Sequence, residues 1–177
     1  FTDSRILPTF GWVGWQNYEN LFKIRAWDTA VWNLVVFGVL YITICCVLGL
    51  LLAILLDQKI RAEGFIRTIY LYPMALSFIV TGIAWKWFLD PGIGIEAVVR
   101  GWGWETFTFN WIKDRDFAIY TIVIAAVWQT SGFVMAMFLA GLRGIDSEMM
   151  KAAQIDGAST FALYRRIVIP QLRPAFM

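Results

Sequence analysis

The run Gly141-Leu142-Arg143-Gly144-Ile145-Asp146-Ser147-Glu148-Met149-Met150-Lys151-Ala152-Ala153-Gln154-Ile155-Asp156-Gly157-Ala158-Ser159 concentrates side chains of defined type and spacing. Asp146 or Ser147 suits a helix N-cap, and Glu148 in the first turn suits the positive end of the helix dipole. Met149, Ala152, Ala153 and Ile155 recur near helical spacing and form one apolar ridge. Gly157 can take the left-handed backbone that closes a helix. Ser159 can cap a second helix, running through Phe161, Tyr164, Ile167 and Val168 before Pro170. The chemistry on offer is docking. Methionine adapts to irregular surfaces and alanine lets backbones approach closely. A helix–Gly–helix unit this short is not stable alone, so it must pack on its own neighbours, lie on a headgroup layer as a basic amphipathic helix, or enter a partner's groove.

A second set, Gln129-Thr130-Ser131-Gly132 flanked by Trp128 and Phe133, places amide, hydroxyl and aromatic groups inside an uncharged stretch. Polar groups in such a stretch face a cavity or a neighbouring helix, and small polar residues also knit helices together. Catalytic readings are thin. The chain has no His, the commonest general base and metal ligand. Cys45 and Cys46 are adjacent, cannot complete a four-ligand site, and act as small hydrophobes. No Gly-x-x-x-x-Gly-Lys-Ser/Thr phosphate cradle is present. The expectation is no catalytic residue, no metal and no cofactor bound by this chain. A net charge of +2, with no basic run carrying stacking aromatics, argues against nucleic acid.

The elements that position these groups follow from composition. The chain has 177 residues, of which 59% are hydrophobic and 16% charged, against about 25% charged in soluble domains. Residues 29–56, 68–85 and 117–142 carry no charge, and about 20 apolar residues cross the hydrocarbon. These runs predict three transmembrane helices, 29–56, 68–89 and 117–142, within one membrane domain over 1–177. The connections are an outer segment 1–28, an inner loop 57–67, an outer loop 90–116 and an inner loop 143–174. Orientation rests on Lys59, Arg61, Arg67, Arg143, Lys151, Arg165, Arg166 and Arg173. They are denser than Arg5, Lys23, Arg25, Lys86, Arg100, Lys113 and Arg115 on the other face. Tryptophans 12, 15, 27, 32, 85, 87, 102, 104 and 111 gather in or beside the outer segments, as indoles do at interfaces. Turns there fall to Pro91, Gly92, Gly94, Gly101 and Gly103, and Lys86 is a snorkelling anchor. Pro73 predicts a kink or a loosened turn in the second span. The beginning at Phe1 and the end in Pro174-Ala175-Phe176-Met177 suggest a fragment of a larger protein with at least one further span upstream.

Lys151-Ala152-Ala153, three residues, Gly157, nine residues, Ile167-Val168-Ile169-Pro170 resembles the EAA loop of inner-membrane permease subunits of binding-protein-dependent ABC importers. Every spacing of that pattern matches, and the segment follows a span, as in the family. Gly14-Trp15-Gln16-Asn17-Tyr18-Glu19-Asn20-Leu21-Phe22, Trp32-Asn33, Leu55-Leu56-Asp57, Gly64-Phe65-Ile66-Arg67, Tyr72-Pro73, Trp85-Lys86-Trp87 and Asp90-Pro91 are similar to the carbohydrate-uptake branch. That branch includes the larger maltose permease subunit and glucose or mannose systems. Two positions depart from the pattern: Lys151 stands where Glu is usual, leaving Glu148 or Asp156 to supply an acidic contact, and Ile169 replaces Leu.

The resemblance implies an all-α polytopic membrane protein, here a fragment with three transmembrane helices and a cytoplasmic helix–Gly–helix coupling loop of a type I ABC importer permease. It implies a multi-pass protein of the bacterial inner membrane that is not itself an enzyme. Its partners would be a second permease subunit, two ATPase subunits that use the ATP, an external solute-binding protein, a sugar and membrane lipid, with no nucleic acid. Glu148, Met149, Lys151, Ala152, Ala153, Asp156, Gly157, Ile167 and Pro170 would form the ATPase-docking surface. Trp128, Gln129, Thr130, Ser131 and Phe133 would contribute to the sugar's path through stacking and hydrogen bonds. Two other readings are a passive channel or secondary transporter with an amphipathic inner loop, and a membrane scaffold with no solute path.

Overall fold

A computed structural model describes residues 1–3, 10–58 and 61–172, without the side chains of Ser147, Gln154, Thr160 and Phe161. Arg5, Lys59 and Arg173 of the charge comparison, and the tail 174–177, lie outside the described residues. The described chain is helical: α1 Gln16–Lys23, α2 Arg25–Asp57, α3 Glu63–Leu71, a 3-10 turn Tyr72–Ala75, α4 Phe78–Phe88, α5 Ile95–Gly101 and α6 Ala118–Arg143. After these come α7 Ser147–Ile155, α8 Thr160–Leu163, a π-turn Tyr164–Val168 and α9 Ile169–Gln171. Among the described residues the only extended pairing is an isolated bridge between Thr2 and Trp12.

The chain divides into two compact units, Phe1–Leu40 and Tyr41–Met177. The first is organised by aromatic contact. The ring of Phe1 stacks on Trp12 at 5.5 Å and meets Trp15 edge-on at 5.2 Å, and Asp3 accepts from the Gly11 N–H at 2.8 Å. The ordered outer segment expected from its tryptophans is therefore folded by ring packing rather than by a buried aliphatic core.

In the second unit, α6 is the central post. Ala53 and Leu56 of α2 pack with Met135, Phe138, Leu139 and Leu142 of α6, and Val168 and Leu172 close the same cluster from the chain that follows. Most other large apolar side chains of these helices are exposed, among them Leu55, Phe78, Ile79 and Ile122, while Thr81, Thr121, Gln129 and Ser131 are buried. Outside that apolar cluster, polar groups turned inward and apolar ones outward are the arrangement expected where hydrocarbon is the solvent.

The 33 residues of α2 and the 26 of α6 give about 50 and 39 Å at 1.5 Å per residue, enough for about 30 Å of hydrocarbon. The predicted second span is not one helix. Glu63–Ala75 and Phe78–Phe88 meet at 100°, and the 11 residues of α4 reach only about 17 Å. The break sits at Leu76 and Ser77, both extended, just past the 3-10 turn that holds Pro73, where a backbone donor is missing and the ring crowds the preceding turn. Gly132 of α6 lies against this break so closely that a Cβ there would overlap the Tyr70 carbonyl, and the Gln129 amide donates to the Leu76 carbonyl at 3.3 Å. The bend thus exceeds an ordinary proline kink because α6 holds it. The start of α3 also differs from expectation, since it recruits Glu63 to Arg67 from the predicted inner loop.

Candidate functional site: the helix–Gly–helix loop and the α4–α6 cavity

Arg143 ends α6 and pairs with Glu63 at the start of α3, Nη2 to Oε1, at 2.6 Å. Both the last turn of α6 and the first turn of α3 are dipole ends suited to these charges. Three residues on, α7 opens with the Asp146 carboxylate accepting the Glu148 N–H at 2.8 Å, so Asp146 acts as the cap. At Gly157 φ is +81°, the left-handed closure a glycine supplies without strain. Ser159 Oγ accepts the Ala162 N–H at 3.3 Å and opens α8.

The second arm does not stop before Pro170 as the sequence suggests. It widens into the π-turn Tyr164–Val168 and continues through Ile169–Gln171. A proline has no N–H and collides with the carbonyl four residues back, and a π-turn displaces that carbonyl. Widening also carries Val168 and Leu172 into the α2–α6 cluster, where both are buried. Tyr164 packs on that cluster. Burial raises the pKa of its phenol above the ordinary value, and the negative charge of Asp57 adds to this.

Most of the predicted ridge of α7 lies on its open face. Met150 packs on the core cluster and Ala153 is half-buried, whereas Glu148, Met149, Lys151, Ala152, Ile155, Asp156 and Gly157 are exposed. Met149 is 44% exposed, and its sulfur accepts from the Gln171 amide at 2.8 Å, which ties it to the second arm. Ile167 is half-buried and Pro170 exposed. Ile155, counted in the ridge but not among the docking residues, is 86% exposed at the tip beside Gly157. Its place in the apolar ridge, two residues before Gly157, was the signal that could have found it.

The predicted path residues do not converge. Gln129 is committed to the bend. Thr130 donates to the Ala126 carbonyl at 2.8 Å, accepts from the Tyr41 hydroxyl at 3.0 Å and lies 3.4 Å from the Cys45 sulfur. Ser131 is buried and Phe133 exposed. Trp128 lines a cavity of about 400 Å³ whose other walls are Leu76, Val80, Thr81, Ala84, Trp85 and Phe88. Trp85 and Trp128 meet edge to face at 5.7 Å. Thr81 and Trp85 are contributors that sequence reasoning passed over, because nothing local to α4 separates them from ordinary lipid-facing residues.

Residues 46–177 match the family of binding-protein-dependent transport system inner membrane components. The chain is 44% identical to a probable ABC transporter permease protein of Pyrococcus horikoshii, over 97% of this chain and 60% of that one. It is 39% identical to the xylose/arabinose import permease protein XacH of Haloferax volcanii, over 99% of this chain and 56% of that one. The chain thus spans somewhat under two thirds of these relatives. In structure it matches a bacterial ABC transporter involved in importing the acidic polysaccharide alginate. The TM-score is 0.82 at 20% identity, over 93% of this chain and 58% of that one, a likeness of fold.

Proposed function

Since the chain belongs to the family of binding-protein-dependent transport system inner membrane components, and is an integral membrane protein, we propose that it is the membrane-spanning part of an ATP-driven sugar importer. The importer sits in the inner membrane, with 57–67 and 143–174 facing the cytoplasm. Sugar arrives from an external solute-binding protein, a reading supported by the family's dependence on a binding protein and by the xylose/arabinose import named for the Haloferax relative. A second permease subunit completes the pore and separate ATPase subunits burn the ATP.

One observation carries this reading: the loop after α6 is a capped elbow, fastened to α2 and α6 through Val168 and Leu172, with a charged and apolar face left open on α7. Glu148, Met149, Lys151, Ala152, Ala153, Asp156, Gly157, Ile167 and Pro170 form the docking side, with Ile155 at its tip. A push on α7 reaches the spans because the second arm is part of their core, so coupling is mechanical. With Lys151 in place of the usual acidic residue, Glu148 and Asp156 supply the acidic contacts to the ATPase. Trp128 remains on the proposed solute path, while Gln129, Thr130 and Ser131 support it by shaping α6 and its neighbours.

The test is reconstitution of the full-length protein with its partners. Uptake of labelled sugar should need ATP, the ATPase and the binding protein together. Uptake that persists without the ATPase would support a passive channel or secondary transporter and end the proposal.

A further inference from the structure

The unit Phe1–Leu40 carries a line of aromatic side chains that the importer reading does not use. Trp15 at the entrance of α1, Tyr18 and Phe22 recur at i, i+3 and i+7 on one side of the helix, while Gln16, Asn17, Asn20 and Lys23 take the other. Phe1 touches Trp12, Trp15 and Tyr18, which joins them into one plate of rings. Trp12, Trp15 and Phe22 are nonetheless 77%, 66% and 64% exposed, and among the described residues of α1 none is buried. The plate is built by the protein and left open.

What covers it follows from where α1 is tied. Ile24 alone joins α1 to α2, and its extended backbone, φ −80° and ψ 117°, ends the axis of the first helix. Phe22 then meets Trp27 edge-on at 5.5 Å, which holds the last turn of α1 against the first turn of α2. The charge-free run 29–56 is about 42 Å long at 1.5 Å per residue, close to the ~40–45 Å of a bilayer with its headgroups. Its first residues, and the end of α1 beside them, therefore stand at headgroup depth. Lipid there takes ring bodies on its acyl side and indole N–H and phenol groups on its wet side. The charged side chains described nearby, Asp3, Glu19 and Asp28 against Lys23 and Arg25, nearly offset one another, so headgroup charge is not what is recognised. We propose that Trp12, Trp15, Tyr18 and Phe22 form an interfacial anchor, with α1 lying along the membrane surface and its rings sunk at the boundary between headgroups and acyl chains. The anchor fixes the depth of the first turns of α2. It rests on α2 spanning the membrane and not on which solute is carried.

The experiment places the full-length protein in nanodiscs of phosphatidylcholine that carries a photoactivatable diazirine near the headgroup end of one acyl chain, and maps the labelled peptides by mass spectrometry. Wild-type 12–23 should take label roughly tenfold above a water-soluble protein added as control, and adding phosphatidylglycerol should change this little. Trp15→Ser combined with Phe22→Ser should lower that label roughly 3- to 10-fold, with label on Ala118–Arg143 level as the sign of intact insertion, and Trp15→Phe should retain it. Label on wild-type 12–23 no higher than on the soluble control would overturn the anchor, whether or not the double variant inserts. Label that appears only with phosphatidylglycerol would overturn it by assigning the contact to charge. Loss of label on adding saturating solute-binding protein would overturn it too, by giving the plate to a protein partner.

Discussion

The loop 143–172, proposed to face inward, and the segment 90–117, proposed to face outward, are of similar length and are held by opposite means. The inner loop drives aliphatic side chains into the span core: Val168 and Leu172 are as buried as the helix residues they touch. The outer segment has no such anchor. Its fixed point is Glu96, a carboxylate only 6% exposed, which pairs with Arg100 at 2.8 Å and accepts the Phe109 N–H at 2.8 Å. Arg100 Nε in turn holds the Phe107 carbonyl at 2.8 Å. From there Trp104, Phe107, Phe109, Trp111 and Phe117 run on as successive ring contacts. An element that passes on a push is joined by close packing, which transmits strain. An element shaped as a surface is pinned by a few polar bonds and by rings content at an interface.

Changes that break the packing should therefore act more strongly than changes that break the pins. Leu172→Ala should destabilise by about 2–5 kcal/mol, read as a lowered thermal midpoint in detergent, and should lower ATP-driven uptake by detaching the second arm. Glu96→Ala should cost about 1–3 kcal/mol by stranding the Phe109 N–H, with faster hydrogen exchange confined to 96–111 and the inner loop unaffected. If exchange rises equally at 147–172, the contrast between the two regions is false.

Tyr164 sharpens the inner side. Its folded-state pKa lies above the unfolded value of about 10. Its contribution is therefore complete below that unfolded value and lost as pH climbs through the folded one. The alkaline fall in thermal midpoint should shrink in Tyr164→Phe. The smallest effect belongs to Arg143→Gln. Its exposed pair with Glu63 is worth about 0–1 kcal/mol, and the difference from wild type should fade in high salt. Gly157→Asp and Gly157→Asn separate backbone from charge at the docking side. Asn tolerates the left-handed backbone and should keep uptake, whereas Asp adds charge on the face proposed to meet the ATPase and should uncouple transport without harming insertion.

Much of this was legible. Uncharged runs located α2 and α6 within a few residues, because hydrocarbon admits little else. Asp146, Gly157 and Ser159 act as caps and closure as their types indicate, since capping is decided within a few residues of chain. Which methionine of α7 turns inward was not legible, because only the position of the α2–α6 core picks Met150 over Met149. What the polar cluster of α6 touches was hidden for the same reason: neighbours on one helix point about 100° apart, so Gln129 and Thr130 meet different partners.

Sequence by itself determined what this chain can live in and which family it joins, because apolar length and motif spacing are properties of a one-dimensional string. The 100° bend, the burial of Thr81 and the edge-to-face contact of Trp85 and Trp128 were decided only by the tertiary structure. Each depends on how near α6 comes to the broken helix, a distance that Gly132 permits and that packing between segments far apart in the chain sets.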